Sequence, residues 1–261
     1  MEVIILKDKK SVAKEASLYI ANIIKKLKKP VLGLATGVTP IKVYENLIAL
    51  NESREISFDD VSTFNLDEYV GLDKEHRASY YTYMNEYLFS RVNIDHKKIH
   101  IPNGCSENIP LECEKYEELI KSAGGIDLQL LGIGRDGHIG FNEPSSSLRS
   151  KTRLKTLTEQ TRSVNSQFFD DLSEVPYHVL TMGVGTIMKA KKILLIAFGE
   201  EKADAVAACV EGPITAMAPA SVLQCHEKVT VLIDESAASK LTRQDYYRWV
   251  YQQKPSWQKN V

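Results

Sequence analysis

Short apolar runs rich in branched residues alternate with longer stretches whose apolar positions recur every three or four residues. This alternation restricts the fold more than any other feature of the chain. Val3 to Leu6 predicts a strand, and Ser11 a cap for a helix carrying Val12, Ala16, Tyr19, Ile20, Ile23 and Leu27 on one face. Val31 to Ala35 predicts a second strand. Thr39-Pro40 then opens a helix to about Leu50, with Pro at its first position. Val61 to Asn65 and Ile126 to Ile133 read as further strands. Between them lie helices over Tyr80 to Phe89, capped by Ser79, and over Glu112 to Lys121. The second half repeats the theme, with strands at Arg153 to Leu157, His178 to Met182, Lys192 to Phe198 and Val229 to Ile233. Helices are predicted over Glu201 to Val210 and from Ser236 onward. The expected fold class is α/β: a mostly parallel, twisted, modified Rossmann-like sheet with helices on both faces.

The 261 residues allow one large domain or two small ones. No low-complexity linker, composition break or internal repeat divides them, so the expectation is a single domain over 1–261 with a C-terminal helical extension over about 236–261. Hydrophobic residues make up 43%, enough to offset the entropy of ordering the chain, so disorder is not expected. Lys plus Arg number 33 against 34 Asp plus Glu, which argues against nucleic-acid binding through a broad basic surface. The longest apolar runs, such as Ile193 to Phe198, fall far short of the roughly 20 residues of a membrane helix. Glu2 and a short apolar stretch do not make a secretory signal. Cys105, Cys113, Cys209 and Cys225 form no C-x-x-C pair, so we expect reduced, partly buried thiols in a cytoplasmic protein.

In sheets of this kind ligands bind beyond the carboxyl ends of the strands. Three loops there carry chemistry. In Ala35-Thr36-Gly37-Val38-Thr39-Pro40, Gly37 permits a tight turn, Thr36 and Thr39 offer hydroxyls, and the following helix start attracts anions. A phosphate cradle and a plain turn capped by Thr39 both fit. In Thr63-Phe64-Asn65-Leu66-Asp67-Glu68-Tyr69, two acids leave an apolar strand. They read as a general base or as solvated loop acids. The third, Gly134-Arg135-Asp136-Gly137-His138-Ile139-Gly140-Phe141-Asn142-Glu143-Pro144, holds three titratable groups in eight residues. A carboxylate beside a histidine sets its tautomer and basicity, as in an acid/base relay; a lone histidine on a glycine-rich turn is the alternative. Lys202 follows Gly199 in the first turn of a helix, where a bound anion would relieve its conflict with the dipole; an exposed lysine offset by Glu200 and Glu201 also fits.

Gly132-x-Gly134-x-x-Gly137 matches a dinucleotide fingerprint, but Gly140 and Pro144 would spoil the helix that pattern requires, so no nicotinamide cofactor is expected.

Taken together these segments resemble the glucosamine-6-phosphate deaminases (the glucosamine-6-phosphate isomerase family). Lys155-Thr156-Leu157-Thr158, Asn165-Ser166-Gln167-Phe168-Phe169, Thr181-Met182-Gly183-Val184-Gly185-Thr186 and Val210-Glu211-Gly212-Pro213 extend the likeness to about residue 235. The resemblance implies conversion of glucosamine 6-phosphate and water to fructose 6-phosphate and ammonia, without metal or cofactor. It implies that Asp67 is the enolisation base, that His138 opens the pyranose ring, and that Asp136 and Glu143 orient that histidine. It also implies a phosphate site at Thr36, Gly37, Thr39 and Lys202.

The chain departs from the pattern at Gln167, where many relatives have an arginine that reaches the phosphate. Some relatives are hexamers activated by N-acetylglucosamine 6-phosphate. Ser146, Arg153, Lys155 and Thr156 match parts of that activator pocket, but Tyr246 to Val261 does not match the activated type. A homo-oligomer is allowed rather than required. A 6-phosphogluconolactonase-like hydrolase and a non-catalytic sugar-phosphate-binding module are the competing readings. The Asn65-Leu66-Asp67-Glu68-Tyr69 segment and the complete acid/base set favour the deaminase over both.

Overall fold

In the computed structural model, which describes residues 1–255 and 258, a central sheet forms because its strands are apolar on both sides. The chain runs β1 (Glu2–Leu6), α1 (Lys9–Lys26), β2 (Val31–Leu34), α2 (Ile41–Glu52), β3 (Ser62–Asn65), β4 (Asp67–Tyr69) and α3 (Tyr80–Tyr87). It continues through β5 (Ile99–His100), α4 (Ile109–Ser122), β6 (Leu128–Leu131), β7 (Arg153–Thr156), α5 (Glu159–Asn165) and β8 (His178–Thr181). It ends with α6 (Val184–Ile187), β9 (Ile193–Ala197), α7 (Ala203–Val210), β10 (Val229–Asp234) and α8 (Gln244–Gln253). Seven strands, in the order β1-β10-β9-β6-β2-β3-β5, pair in parallel throughout.

Alternate residues of each strand enter different layers. Ile193 and Leu195 of β9 face a core built with Tyr116 and Ile120 of α4 and Val206 and Cys209 of α7. Leu194 and Ile196 face the other layer, with Val12, Ala16 and Ile20 of α1 and Tyr44 and Leu47 of α2. A helix layer therefore covers each face, as the alternation predicts.

Several local expectations are corrected. The cap of α1 is Asp8, whose carboxylate accepts from the Ser11 N–H at 2.8 Å, so the helix starts before Ser11. Residues 235–240 form turns, and the terminal helix begins only at Gln244; residues 256, 257 and 259–261 of the expected extension lie outside the described residues. Cys105 and Cys225 are exposed, Cys113 and Cys209 buried, and all four are free.

The larger correction concerns β7 and β8. They form no part of the parallel sheet, but pair antiparallel with each other and with β4 in a separate three-stranded sheet. The chain changes sheets at Leu66. Its N–H donates to Leu34 O of β2 at 3.1 Å, and its carbonyl accepts from Met182 N, just past β8, at 2.6 Å. A small core of Tyr69, Tyr80, Phe141, Phe169 and Val179 fills the space beneath this sheet.

Candidate active site

Four neighbouring strands, β9, β6, β2 and β3, deliver the chemistry-bearing segments. The sequential order reverses between β2 and β6, which makes this the switch point of the sheet. A cleft of about 470 Å³ opens there. Thr36, Gly37, Thr39, Asp67, Asp136, His138 and Lys202 all line it. Among the candidate residues Glu143 alone is not part of the lining.

The 36–39 loop leaves β2 with Gly37 at φ +83°, a backbone conformation that favours glycine. Tyr83 of α3 fastens it by donating its hydroxyl to Gly37 O at 2.6 Å. Pro40 stands one position outside α2, and no side chain caps that helix, so Thr39 does not play the capping role. The helix N-terminus remains as a source of anion-binding N–H groups.

Asp67 and Glu68 are not loop acids: both lie in β4 and are only 4% exposed. They do different jobs. Glu68 accepts from the N–H groups of Tyr69 at 2.8 Å, Tyr80 at 3.0 Å and Tyr81 at 3.0 Å, so it holds the start of α3. Burial pushes its pKa up to about 7 against the lowering effect of those donors. Burial, reinforced by the charge of Glu68, pushes Asp67 up to about 8. A base held this close to neutrality suits proton abstraction from carbon.

The loop after β6 brings His138 to the same cleft. His138 Nδ1 lies 2.6 Å from Asp136 Oδ1, and the same carboxylate accepts the His138 backbone N–H at 3.1 Å. Partial burial would raise the Asp136 pKa, but the hydrogen bond and charge of His138 outweigh it and leave Asp136 below its ordinary value. The pairing assigns a proton to Nδ1 and leaves Nε2 as the exchanging nitrogen.

Gly134 explains how the imidazole fits: a Cβ at Gly134 would stand 2.2 Å from His138 Cε1. Gly140, at φ +56°, runs beside both β8 and Asp67: a Cβ there would crowd Thr181 Oγ1 at 3.0 Å and touch Asp67 Oδ2 at an ordinary 3.6 Å. Lys202 does not lie free on the surface. Its Nζ donates to Ile133 O at 2.8 Å, and burial lowers its pKa against the raising effect of Glu201.

Glu143 accepts from the hydroxyls of Thr158 at 3.1 Å and Thr161 at 2.5 Å, anchoring α5 to the histidine loop. Its hydrogen bonds thus go to α5 and not to His138. Sequence reasoning missed α5 as a wall of the cleft, to which it contributes Thr161, Val164 and Asn165. It also missed Tyr83 and Gly134. The glycine spacing held a signal for Gly134; the tyrosine at 83 had none. Among the described residues no cluster of three or more His, Cys, Asp or Glu side chains could hold a metal ion.

Residues 7–232 match the family described as glucosamine-6-phosphate isomerases/6-phosphogluconolactonase. The glucosamine-6-phosphate deaminase of Shewanella halifaxensis is 54% identical over 254 residues, covering 96% of this chain and 95% of that protein. The enzyme of the same name from an Arthrobacter species is 51% identical over 258 residues, with 99% of each chain covered. A solved monomeric glucosamine-6-phosphate deaminase superposes with a TM-score of 0.90 at 44% identity, covering 92% of this chain and all of the other. The 6-phosphogluconolactonase from Trypanosoma cruzi shares the fold, with a TM-score of 0.74 at 19% identity over 92% of this chain and 97% of its own. The chain belongs to the glucosamine-6-phosphate isomerase family.

Proposed function

We infer that this chain is a glucosamine-6-phosphate deaminase, converting glucosamine 6-phosphate and water to fructose 6-phosphate and ammonia. The observation that carries the reading is the meeting of Asp67 with the Asp136–His138 pair in one cleft beside the 36–39 loop and Lys202. The near-full-length identity to deaminases supports it.

The chemistry follows from the groups. The phosphate sits on the 36–39 loop and Lys202, remote from C1 and C2, and its binding energy holds the sugar in register. His138 exchanges protons with the ring oxygens to open the pyranose, while Asp136 keeps its tautomer. Ionised Asp67 takes the C2 proton of the open-chain amino aldehyde as O1 gains a proton, giving an enolamine, and then returns the proton to C1 as the nitrogen releases one of its own. The C2 amine thereby becomes an imine, which water converts to the ketone with release of ammonia. The route consists of ring opening, proton transfers, water addition to the imine and loss of ammonia, and the proposal assigns these steps to side chains and water without a metal or cofactor. Glu143 acts through α5, keeping that wall aligned with the histidine loop.

The proposal places the enzyme in the cytoplasm, in the amino-sugar catabolism that follows N-acetylglucosamine, because a sugar phosphate is confined to the compartment where it is made. Residues 1–261 act as one catalytic domain with a C-terminal helical extension, on a small-molecule substrate and without nucleic acid or membrane. Among the described residues no helix is long and apolar enough to cross a bilayer. The proposed route assigns each of its roles to a residue of this chain, and a homo-oligomer is compatible with it.

The test is incubation of the purified protein with glucosamine 6-phosphate in chelated buffer, following ammonia and fructose 6-phosphate together. Stoichiometric release of both supports the reading. Hydrolysis of 6-phosphogluconolactone without deamination would select the lactonase instead. Tight sugar-phosphate binding with no turnover of either compound would select the binding module.

A further inference from the structure

The walls of the cleft carry unequal charge. Lys202 and Arg135 reach it from the ends of β9 and β6. The part of the lining from 160 to 168 contributes only uncharged side chains, among them Gln160, Asn165 and Gln167. One further cation lines the cleft among the described residues: Arg77, in the loop before α3. That loop adjoins the anion site, because Ala78 and Tyr80 line the same cleft and Tyr83, one helical turn on, holds Gly37. Arg77 Nη2 pairs with Asp170 Oδ1 at 2.5 Å, and Asp170 follows Phe169, whose ring packs beside His76. Both members of the pair are well exposed, at 58% and 76% of their side-chain surface, so the pair stabilises little and is easily exchanged.

We propose that Arg77 binds the phosphate dianion of the substrate, exchanging the Asp170 carboxylate for it. A guanidinium fork matches phosphate oxygens bidentately, and a dianion on the cleft outcompetes a solvated carboxylate for it. The cation then comes from the α3 side of the cleft, while position 167 offers a neutral amide. The proposal rests on the deaminase reading for the identity of the anion, but its binding step can be measured without turnover.

The experiment measures inorganic phosphate affinity by calorimetry, and KM and kcat for glucosamine 6-phosphate, in wild type, Arg77→Gln, Asp170→Asn and the double variant. Arg77→Gln is expected to raise the phosphate Kd and KM about tenfold or more, with kcat changed by less than about threefold. Asp170→Asn releases Arg77 and should tighten phosphate a few-fold, a gain that vanishes when Arg77 is also Gln. An Arg77→Gln variant with unchanged Kd and KM overturns the proposal, as does an Asp170→Asn gain that survives in the double variant. Arg77-dependent phosphate binding in a protein that fails to deaminate would defeat the deaminase reading and leave this one standing. Deamination with Arg77-independent binding would remove this one alone.

Discussion

Replacing Asp67 with Asn removes a buried ionisable group without changing its volume, and the consequence for stability is calculable. The carboxyl titrates near 3.8 in an ordinary setting and near 8 in the folded protein, because burial and then the charge of Glu68 disfavour its ionised form. Between those limits the folded protein binds one proton that the unfolded chain has released. Wild-type stability therefore falls as pH rises across that window, by about 1.4 kcal/mol per pH unit. Asn carries no such dependence, and Glu68 titrates in both proteins. The advantage of Asp67→Asn should grow by about 3 kcal/mol between about pH 5 and pH 7, on the order of 5 °C in Tm for a chain of this size. The assay is thermal or urea unfolding of both proteins across that range. A Tm difference that stays flat with pH would refute the burial argument. The same group must be ionised to act as a base, so wild-type kcat/KM should climb with pH, with its midpoint near the folded pKa of about 8 and its plateau above that. The variant, whatever its stability, should lose C2 proton exchange.

Gly134→Ala forces a Cβ to within 2.2 Å of His138 and should cost about 10²-fold in kcat while near-wild-type folding persists; normal activity would show that the imidazole position is not needed. His138→Gln should lose about 10²–10⁴-fold on cyclic substrate but recover in part on substrate supplied in open-chain form, and equal losses on both would contradict ring opening as its role. Tyr83→Phe deletes the 2.6 Å bond to Gly37 and should raise KM several-fold with kcat nearly intact, as measured by initial rates. Asp127→Ala, far from the cleft, removes the acceptor of the Val31 N–H and the partner of Lys191; we expect a loss of about 2 kcal/mol by urea unfolding with unchanged kcat.

Periodicity and local chemistry are properties of neighbouring residues, and these were readable in the chain itself. The apolar strands, the bodies of α1 and α4 though not their first turns, the Ser79 cap of α3 and the Asp136–His138 contact across two residues follow from local sequence. Position beyond a strand end marked the 36–39 loop, Asp67 and Lys202 as candidates. What local sequence could not decide was which elements share a sheet and what solvent each side chain loses. β4 is three residues long and pairs with a strand more than a hundred positions away, so neither it nor the separate sheet it forms left a periodic signal. The burial of Asp67 and Glu68, and the division between a base and a clamp for α3, depend on that pairing. So does the meeting of Asp67 with the Gly140 loop. Desolvation and proximity arise only when distant segments pack together, and they turn two ordinary acids into groups with different work to do.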